Sequence, residues 1–423
     1  MGTNNKQRRA AKRKGRHRSR TAASEPLRET FVPTVTPEMA SVFVVGLVEQ
    51  VEVEPHDAAA CAALLLRPDG PVPPVLGRQA LSDLRAGVVA RLVQNGWRPS
   101  DLAQIARRQC GDDHVPGLLD VLAHEARRHR RVAAAWLDDL AAAGAARPLD
   151  LRVLHDVRRA LELTAHLARL PAIAELLPPP GRTERAGSAT GPSGTAADSK
   201  PLARVRALLA KAESTEFPEE AELLSAKAQD LISRHALAEL LSAPERSENE
   251  TAAQRIWIDA PYVSAKSMLI HHVSLANRSR SVIAESLGFC TVIGRPGDLA
   301  AIELFVTSLL VQSSVAMRRH GAQADWSGTS RTRSFRQSFL ISYAARIGER
   351  LHEADAQAAQ DSGRPGELVP LLKRTAEQVD EAMHELFPEM IAKQVNVNHA
   401  GGWAAGRAAA DLAHLGVADA VAG

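Results

Sequence analysis

The stretch PLARVRALLAKAESTEFPEEAELLSAKAQDLISRHALAELL, residues 201–241, decides the fold class. Leu202, Val205, Leu209 and Ala212 recur at helical spacing and predict one helix. Pro218 falls where the first turn of a second helix tolerates a missing N–H. Glu219, Glu220 and Glu222 follow and complement that helix's N-terminal dipole. Ala221, Leu224, Ala228, Leu231 and His235 then continue the helical period. The spacing predicts a compact helical hairpin over 201–243, with His235 as a core histidine on its apolar stripe.

Upstream, GRTERAGSATGPSGTAADSK (181–200) follows three prolines and has no apolar period, which predicts a flexible linker. Before it, residues 31–180 read as a helical domain. Leu81, Leu84, Val88 and Leu92 mark one helix, which ends at Gly96-Trp97-Arg98-Pro99. Ser100 and Asp101 are candidate caps for the next helix, and Val115–Arg131 forms a third. That order fits a helix-turn-helix, but LLDVLAHEA in the third helix has a buried composition, so an ordinary bundle is expected. Downstream, residues 252–423 read as an α+β domain. Strand-like runs at Arg280–Glu285 and Phe289–Ile293 flank Ser286-Leu287-Gly288 and predict a small β-hairpin. Asp298 is expected to cap a long helix, and further helices are expected over 331–356, 371–387 and 402–415. The fold class is therefore mainly α: a helical N-terminal domain, a helical hairpin, and a C-terminal α+β domain. Aromatic residues are only 4% of the chain, which suits a core of Leu, Val, Ala and Ile on packed helices.

Lys211, Ala212, Thr215, Glu220, Ala221, Ala228 and His235 of the hairpin occupy the positions that mark the bacterial and phage domain-of-unknown-function 2786 family, which this segment resembles. The resemblance covers about 40 residues. It implies a helical hairpin followed by a second domain, here 252–423, and it carries no activity, cofactor or site residue.

The 423 residues carry 52 basic and 49 acidic side chains, a net charge of +3 that hides an asymmetry. Lys6, Arg8, Arg9, Lys12, Arg13, Lys14, Arg16, Arg18 and Arg20 all precede the first acid, Glu25. Without those nine, the remainder has 43 basic against 49 acidic residues, a net of −6. Residues 1–30 thus read as a disordered basic arm on a mildly acidic body. Each Lys or Arg placed on a phosphate releases condensed counterions, so such an arm suits DNA or RNA without sequence choice. No lipidation signal or apolar face accompanies it, so a membrane is not the expected partner. Charges without an apolar run behind them are not a secretory signal. Arg outnumbers Lys 43 to 9, as in a chain with GC-rich coding bias.

A second basic feature lies on the helix expected over 331–356. Arg336, Phe339, Tyr343, Arg346 and Arg350 share one face at helical spacing, and Arg331 and Arg333 precede them. Two readings are open: a phosphate cradle with a base stacked on Tyr343, or arginines paired with nearby glutamates.

Chemistry-bearing motifs are sparse. Cys61, Cys110 and Cys290 form no CxxC pair, so neither a disulfide framework nor a cysteine zinc site is expected. His235, His271 and His272 are weak metal candidates. Adjacent helical residues point about 100° apart, which separates His271 from His272. No HExxH, P-loop or nucleophile elbow is present. Gly402 and Gly406 form a GxxxG that suits close helix approach. The apolar run Leu299–Met317 is broken by Glu303, which would cost ~3 kcal/mol near a bilayer centre, and reads as a buried helix. The expected function is a cytoplasmic protein that contacts nucleic acid and needs no cofactor. The alternatives are a metal-dependent hydrolase with a histidine site in the C-terminal domain, or a helical interaction scaffold.

Overall fold

A computed structural model describes residues 35–182, 200–214, 227–228, 230–238, 251–319, 331–361, 365–391 and 399–411. The basic arm, most of the 181–200 linker and the turn of the hairpin with Thr215, Glu220 and Ala221 lie outside these. Within them the chain is mainly helical, with one small sheet.

The N-terminal half is a helical array: α1 (Pro37–Val53), α2 (Ala58–Leu66), α3 (Pro74–Gln94), α4 (Pro99–Gln109), α5 (Val115–Arg127), α6 (Ala134–Ala143) and α7 (Leu154–Ala168). Helical spacing places Leu81, Val88 and Leu92 of α3 in its core, and Leu118, Leu119 and Leu122 of α5 are equally enclosed. The leucines of LLDVLAHEA are thus core residues, as in a bundle. The turn between α3 and α4 requires Gly96: its φ is 90°, and a Cβ there would lie 2.2 Å from the Ile173 carbonyl oxygen. The start of α4 bears out Asp101 as a capping residue, from the third position of the helix, and does not bear out Ser100. Asp101 accepts from the Arg98 backbone and guanidinium, and Ser100 donates through its N–H (2.9 Å) and Oγ (2.8 Å) to Asp139.

After the linker come α8 (Lys200–Ser214) and a helical stretch at 230–238. Val205 and Leu209 of α8 meet Ala228 and Ile232 in one hydrophobic cluster. His235 is exposed, which corrects its reading as a core histidine. The buried face runs through Ile232, Ser233, Ala236 and Leu237, so the apolar stripe turns away from His235.

The sheet has the order β1–β3–β2, all antiparallel, from β1 (Ala252–Trp257), β2 (Arg280–Ala284) and β3 (Phe289–Gly294). Strand alternation assigns its two faces. Ile256, Cys290 and Val292 face a cluster built with α9 (Val263–Ala276), α10 (Pro296–Arg319) and α11 (Thr332–Asp361). Trp257, Phe289 and Ala284 face the other way, into the cluster that holds Trp97, Leu102 and Leu118 of the N-terminal half. The two halves therefore share a core across the sheet. At the same junction Arg108 donates to the Ile258 carbonyl at 3.0 Å and stacks over Trp257 at 4.9 Å. Beside it, Arg255 pairs with Asp101, both fully enclosed.

Two more helices, α12 (Pro365–Leu386) and α13 (Ala400–Asp411), complete the described chain. Asp298 lies inside the first turn of α10 rather than at its cap, buried 3.8 Å from Arg278. Arg278 in turn bonds Asp355 of α11 at 2.7 Å, which ties α9, α10 and α11 together. Helix α10 is long and apolar enough to span a bilayer by length and composition. Its Leu299, Ile302, Phe305, Val306 and Leu309 are instead packed in the sheet-facing cluster.

Candidate functional site

Strand β2 is an edge of the sheet, and all five of its residues are half-buried. Beside it opens a pocket of about 940 Å³, walled by α9, the β2–β3 hairpin and the C-terminal end of α12 with residues 387–391. Helical spacing on α9 sends Ser264, Ser267, Met268 and His271 to one wall. Strand alternation sends Ser281 and Ile283 to the facing wall, and Glu285 follows just past β2. His271 Nδ1 lies 3.4 Å from Ser281 Oγ, the long end of hydrogen-bond range. Ser264 Oγ donates to Glu285. Burial, and then the nearby Arg280, lower the His271 pKa, so its ring is neutral at pH 7. A neutral imidazole can accept or donate a proton, and a hydroxyl lies beside it. Cys290 lines the pocket, and burial pushes its thiol up to about 12, so it is a poor nucleophile there.

His272 does not join this site. Its ring stands edge-on to that of His271 at 5.6 Å between centroids, and a Cβ on Gly348 of α11 would lie 2.8 Å from the His272 Cβ. The pair thus diverges, as neighbouring residues on a helix do. Among the described residues one grouping of three could offer ligand atoms within 4.8 Å of one another: exposed Glu54 and His56 with half-buried Asp57. His235, His271 and His272 belong to no such group.

The basic residues singled out from sequence separate into three sets. Arg8, Arg9, Lys12, Arg13, Lys14 and Arg16 lie outside the described residues. Arg331 and Arg333 are exposed at the N-terminal end of α11. The rest of the stripe is packed. Tyr343 is 1% exposed and stacks on Phe339 at 6.2 Å, so it presents no ring face to a nucleobase. This corrects the stacking reading, because the period that puts Tyr343 beside the arginines also turns it into the core. Arg346 bonds Asp411 and Glu349, the latter at 2.8 Å. Arg350 is buried and donates to the carbonyls of Ala410 and Asp411, the last described turn of α13. Both side chains hold α13 on α11, and Arg336 is half-buried on the same helix. Hydrogen bonds from Arg407 and Arg346 hold the Glu349 carboxyl down at about 2.

Sequence reasoning missed the pocket itself. Its signal was present: 264, 267, 268 and 271 share a helical face, while 281, 283 and 285 share a strand parity. No local pattern says that these two faces oppose each other. The buried Asp101–Arg255 pair was missed for the same reason, since 154 positions separate its members.

No curated protein and no solved structure matches the chain. Residues 200–239 match the family described as protein of unknown function (DUF2786), and that segment of the chain is a DUF2786 domain.

Proposed function

We propose that the chain is a cytoplasmic protein that contacts nucleic acid, with the basic arm supplying most of the affinity. One observation carries this reading: nine basic residues precede the first acid, while the remaining chain is net −6. A polyanion would be drawn to the arm and repelled by the body, so binding concentrates in one segment. Arg331 and Arg333, exposed at the start of α11, support a second, structured contact, and Arg318 and Arg319 are exposed at the end of the preceding helix, α10. Tyr343, Arg346 and Arg350 drop out of the contact because they are committed to packing. Fluorescence anisotropy with labelled duplex DNA and single-stranded RNA, at about 50 mM salt, tests the proposal. The full chain is expected to bind, and a chain starting at Glu25 to bind at least tenfold more weakly. Equal binding by the two would overturn it.

The alternative, a metal-dependent hydrolase, draws its support from the place of His271 on a pocket wall alone, since among the described residues His271 shares no group of three ligand atoms. Metal analysis of the purified chain checks it. A stoichiometric metal that is lost in His271→Ala supports the hydrolase, and a metal-free chain removes it.

A further inference from the structure

We propose that the turn after α5, Arg127–Arg131, is a structured contact for the phosphate backbone of nucleic acid. The sequence there is HEARRHRR, residues 124–131. Helix α5 stops at Arg127, and residues 128–133 lead without helix into α6. Backbone bonds fix this turn. The Arg128 and His129 N–H groups donate to the carbonyls of Glu125 and Ala126, both at 3.1 Å, and the Gly181 N–H donates to the Arg131 carbonyl at 2.9 Å. Trp136, fully buried, anchors the start of α6 just beyond.

On that fixed frame the guanidiniums face solvent. Arg127, Arg128, Arg130 and Arg131 are all exposed. Arg128 pairs with Glu125 at 3.1 Å, and His129 takes the other oxygen of the same carboxylate at 3.0 Å. Among the described residues, Arg127, Arg130 and Arg131 have no ion-pair partner. Other exposed arginines of the same half do: Arg67 bonds Asp69 at 2.7 Å, and Arg152 bonds Asp150 at 2.9 Å. Glu125 is the one acid between Val121 and Leu137, so four arginines stand against one glutamate, a net of +3. Residues 183–199, which follow the neighbouring Arg182, carry Arg185 against Glu184 and Asp198, a net of −1 that leaves the turn positive. Arg182 itself pairs with Glu175 at 2.8 Å.

A helix C-terminus favours nearby cations, which accounts for Arg127 and Arg128 without any ligand. Arg130 and Arg131 lie past the last turn, where that field has fallen off, and their exposure without a carboxylate points to an anion from outside. A guanidinium fork matches two phosphate oxygens with parallel N–H donors. Four of them within five residues suit a strand of closely spaced phosphates rather than one small anion. No large apolar side chain is exposed from His124 to Trp136, so the turn offers nothing to insert into a lipid surface. The partner's identity rests on the nucleic-acid reading above; the site itself is separate from the arm and from the ends of α10 and α11.

The test is fluorescence anisotropy of the full chain with labelled duplex DNA over a salt series. The triple variant Arg127→Gln, Arg130→Gln, Arg131→Gln removes unpaired, exposed side chains, so its melting temperature is expected to match the parent. Each phosphate contact contributes about −0.9 to the slope of log affinity against log salt, so the slope is expected to become shallower by about 2 to 3. At about 100 mM salt the affinity is expected to fall at least fivefold. The pair Arg130→Gln, Arg131→Gln leaves α5 untouched and is expected to give about two-thirds of that loss in slope. A control triple, Arg67→Gln, Arg152→Gln, Arg234→Gln, removes the same charge from arginines paired with Asp69, Asp150 and Asp230, and is expected to stay within twofold of the parent. A turn variant that keeps the parent's slope, or a control that loses as much, overturns the proposal and leaves the arm reading standing. Equal binding with and without the arm overturns the arm reading alone, and a full chain that binds no DNA overturns both. The turn variant is also measured on phosphatidylserine vesicles, where a loss confined to the vesicles overturns the proposal in favour of a membrane.

Discussion

Arg255→Ala is expected to destabilise the folded chain by about 3–5 kcal/mol, among the largest effects available to a single substitution here. Arg255 emerges from β1 on the face that meets the N-terminal half and is 4% exposed. Its guanidinium reaches Asp101 of α4 and the carbonyls of Ala174 and Gly96. Asp101 is also held by Arg98 at 3.1 Å. Removing Arg255 leaves Asp101 enclosed with half of its positive surroundings gone and strands two backbone carbonyls. The desolvation cost of that carboxylate, and not the attraction lost, sets the size of the effect. An apolar pair tests this directly. Arg255→Met with Asp101→Leu removes both charges of the pair but leaves the Arg98 guanidinium without its carboxylate and the two carbonyls unpaired, so it is expected to recover part of the loss. A denaturant titration measures both, and a loss below 1 kcal/mol for Arg255→Ala would show that the junction does not depend on this pair. The acid limb of stability has the same origin. Burial raises the Asp101 pKa, but Arg98 and Arg255 outweigh it and hold the carboxyl below its ordinary 3.8. A carboxyl depressed in the folded state adds stability above its unfolded pKa, and that stability is lost as pH falls through the folded value. The wild-type chain should therefore weaken below about pH 4 more steeply than the Met/Leu variant.

Gly406→Val is expected to cost about 3 kcal/mol and to loosen α13 from α11. A Cβ on Gly406 would stand 2.0 Å from Ser342 Oγ and 2.2 Å from the Phe339 carbonyl oxygen. One turn earlier, a Cβ on Gly402 would stand 2.5 Å from the Phe335 carbonyl oxygen. The obstructing atoms are mostly backbone of α11, which cannot rotate away as a side-chain tip can. The helices must separate, and separation also pulls Arg350 from the carbonyls at the other end of α13. Gly401→Ala is the control. Its Cβ meets nothing closer than 3.4 Å, so that substitution should lie within about 0.5 kcal/mol of neutral. Thermal unfolding of the two variants separates close approach from any general effect of glycine loss.

The helices, the β-hairpin and the GxxxG contact were legible because each is written in local spacing. Leu81, Val88 and Leu92 predict a helix and its buried face together, and 280–285 with 289–293 predict paired strands. What failed was finer or more distant. The stripe ending at His235 was drawn through residues that are apolar, but the buried set runs through Ile232, Ser233, Ala236 and Leu237. A small rotation separates the two, and a buried serine conceals it. The Arg336–Arg350 stripe was read at the right period, yet the period alone does not say what covers it. Arg346 and Arg350 are satisfied by Glu349 and by the end of a helix some 60 positions away. The pocket and the Asp101–Arg255 pair depend wholly on tertiary placement. Only the basic arm offers a functional signal in composition alone, because a run of like charge needs no fold to act.

The salt dependence of nucleic-acid binding tests that signal most directly. Each phosphate neutralised contributes about −0.9 to the slope of log affinity against log salt on duplex DNA. If several of the nine arm residues reach phosphates, the full chain should show a slope of about −4 or steeper. A chain starting at Glu25 should show a slope nearer zero, since its body is net acidic. Identical slopes for the two chains, or no binding by the full chain at low salt, would contradict the account.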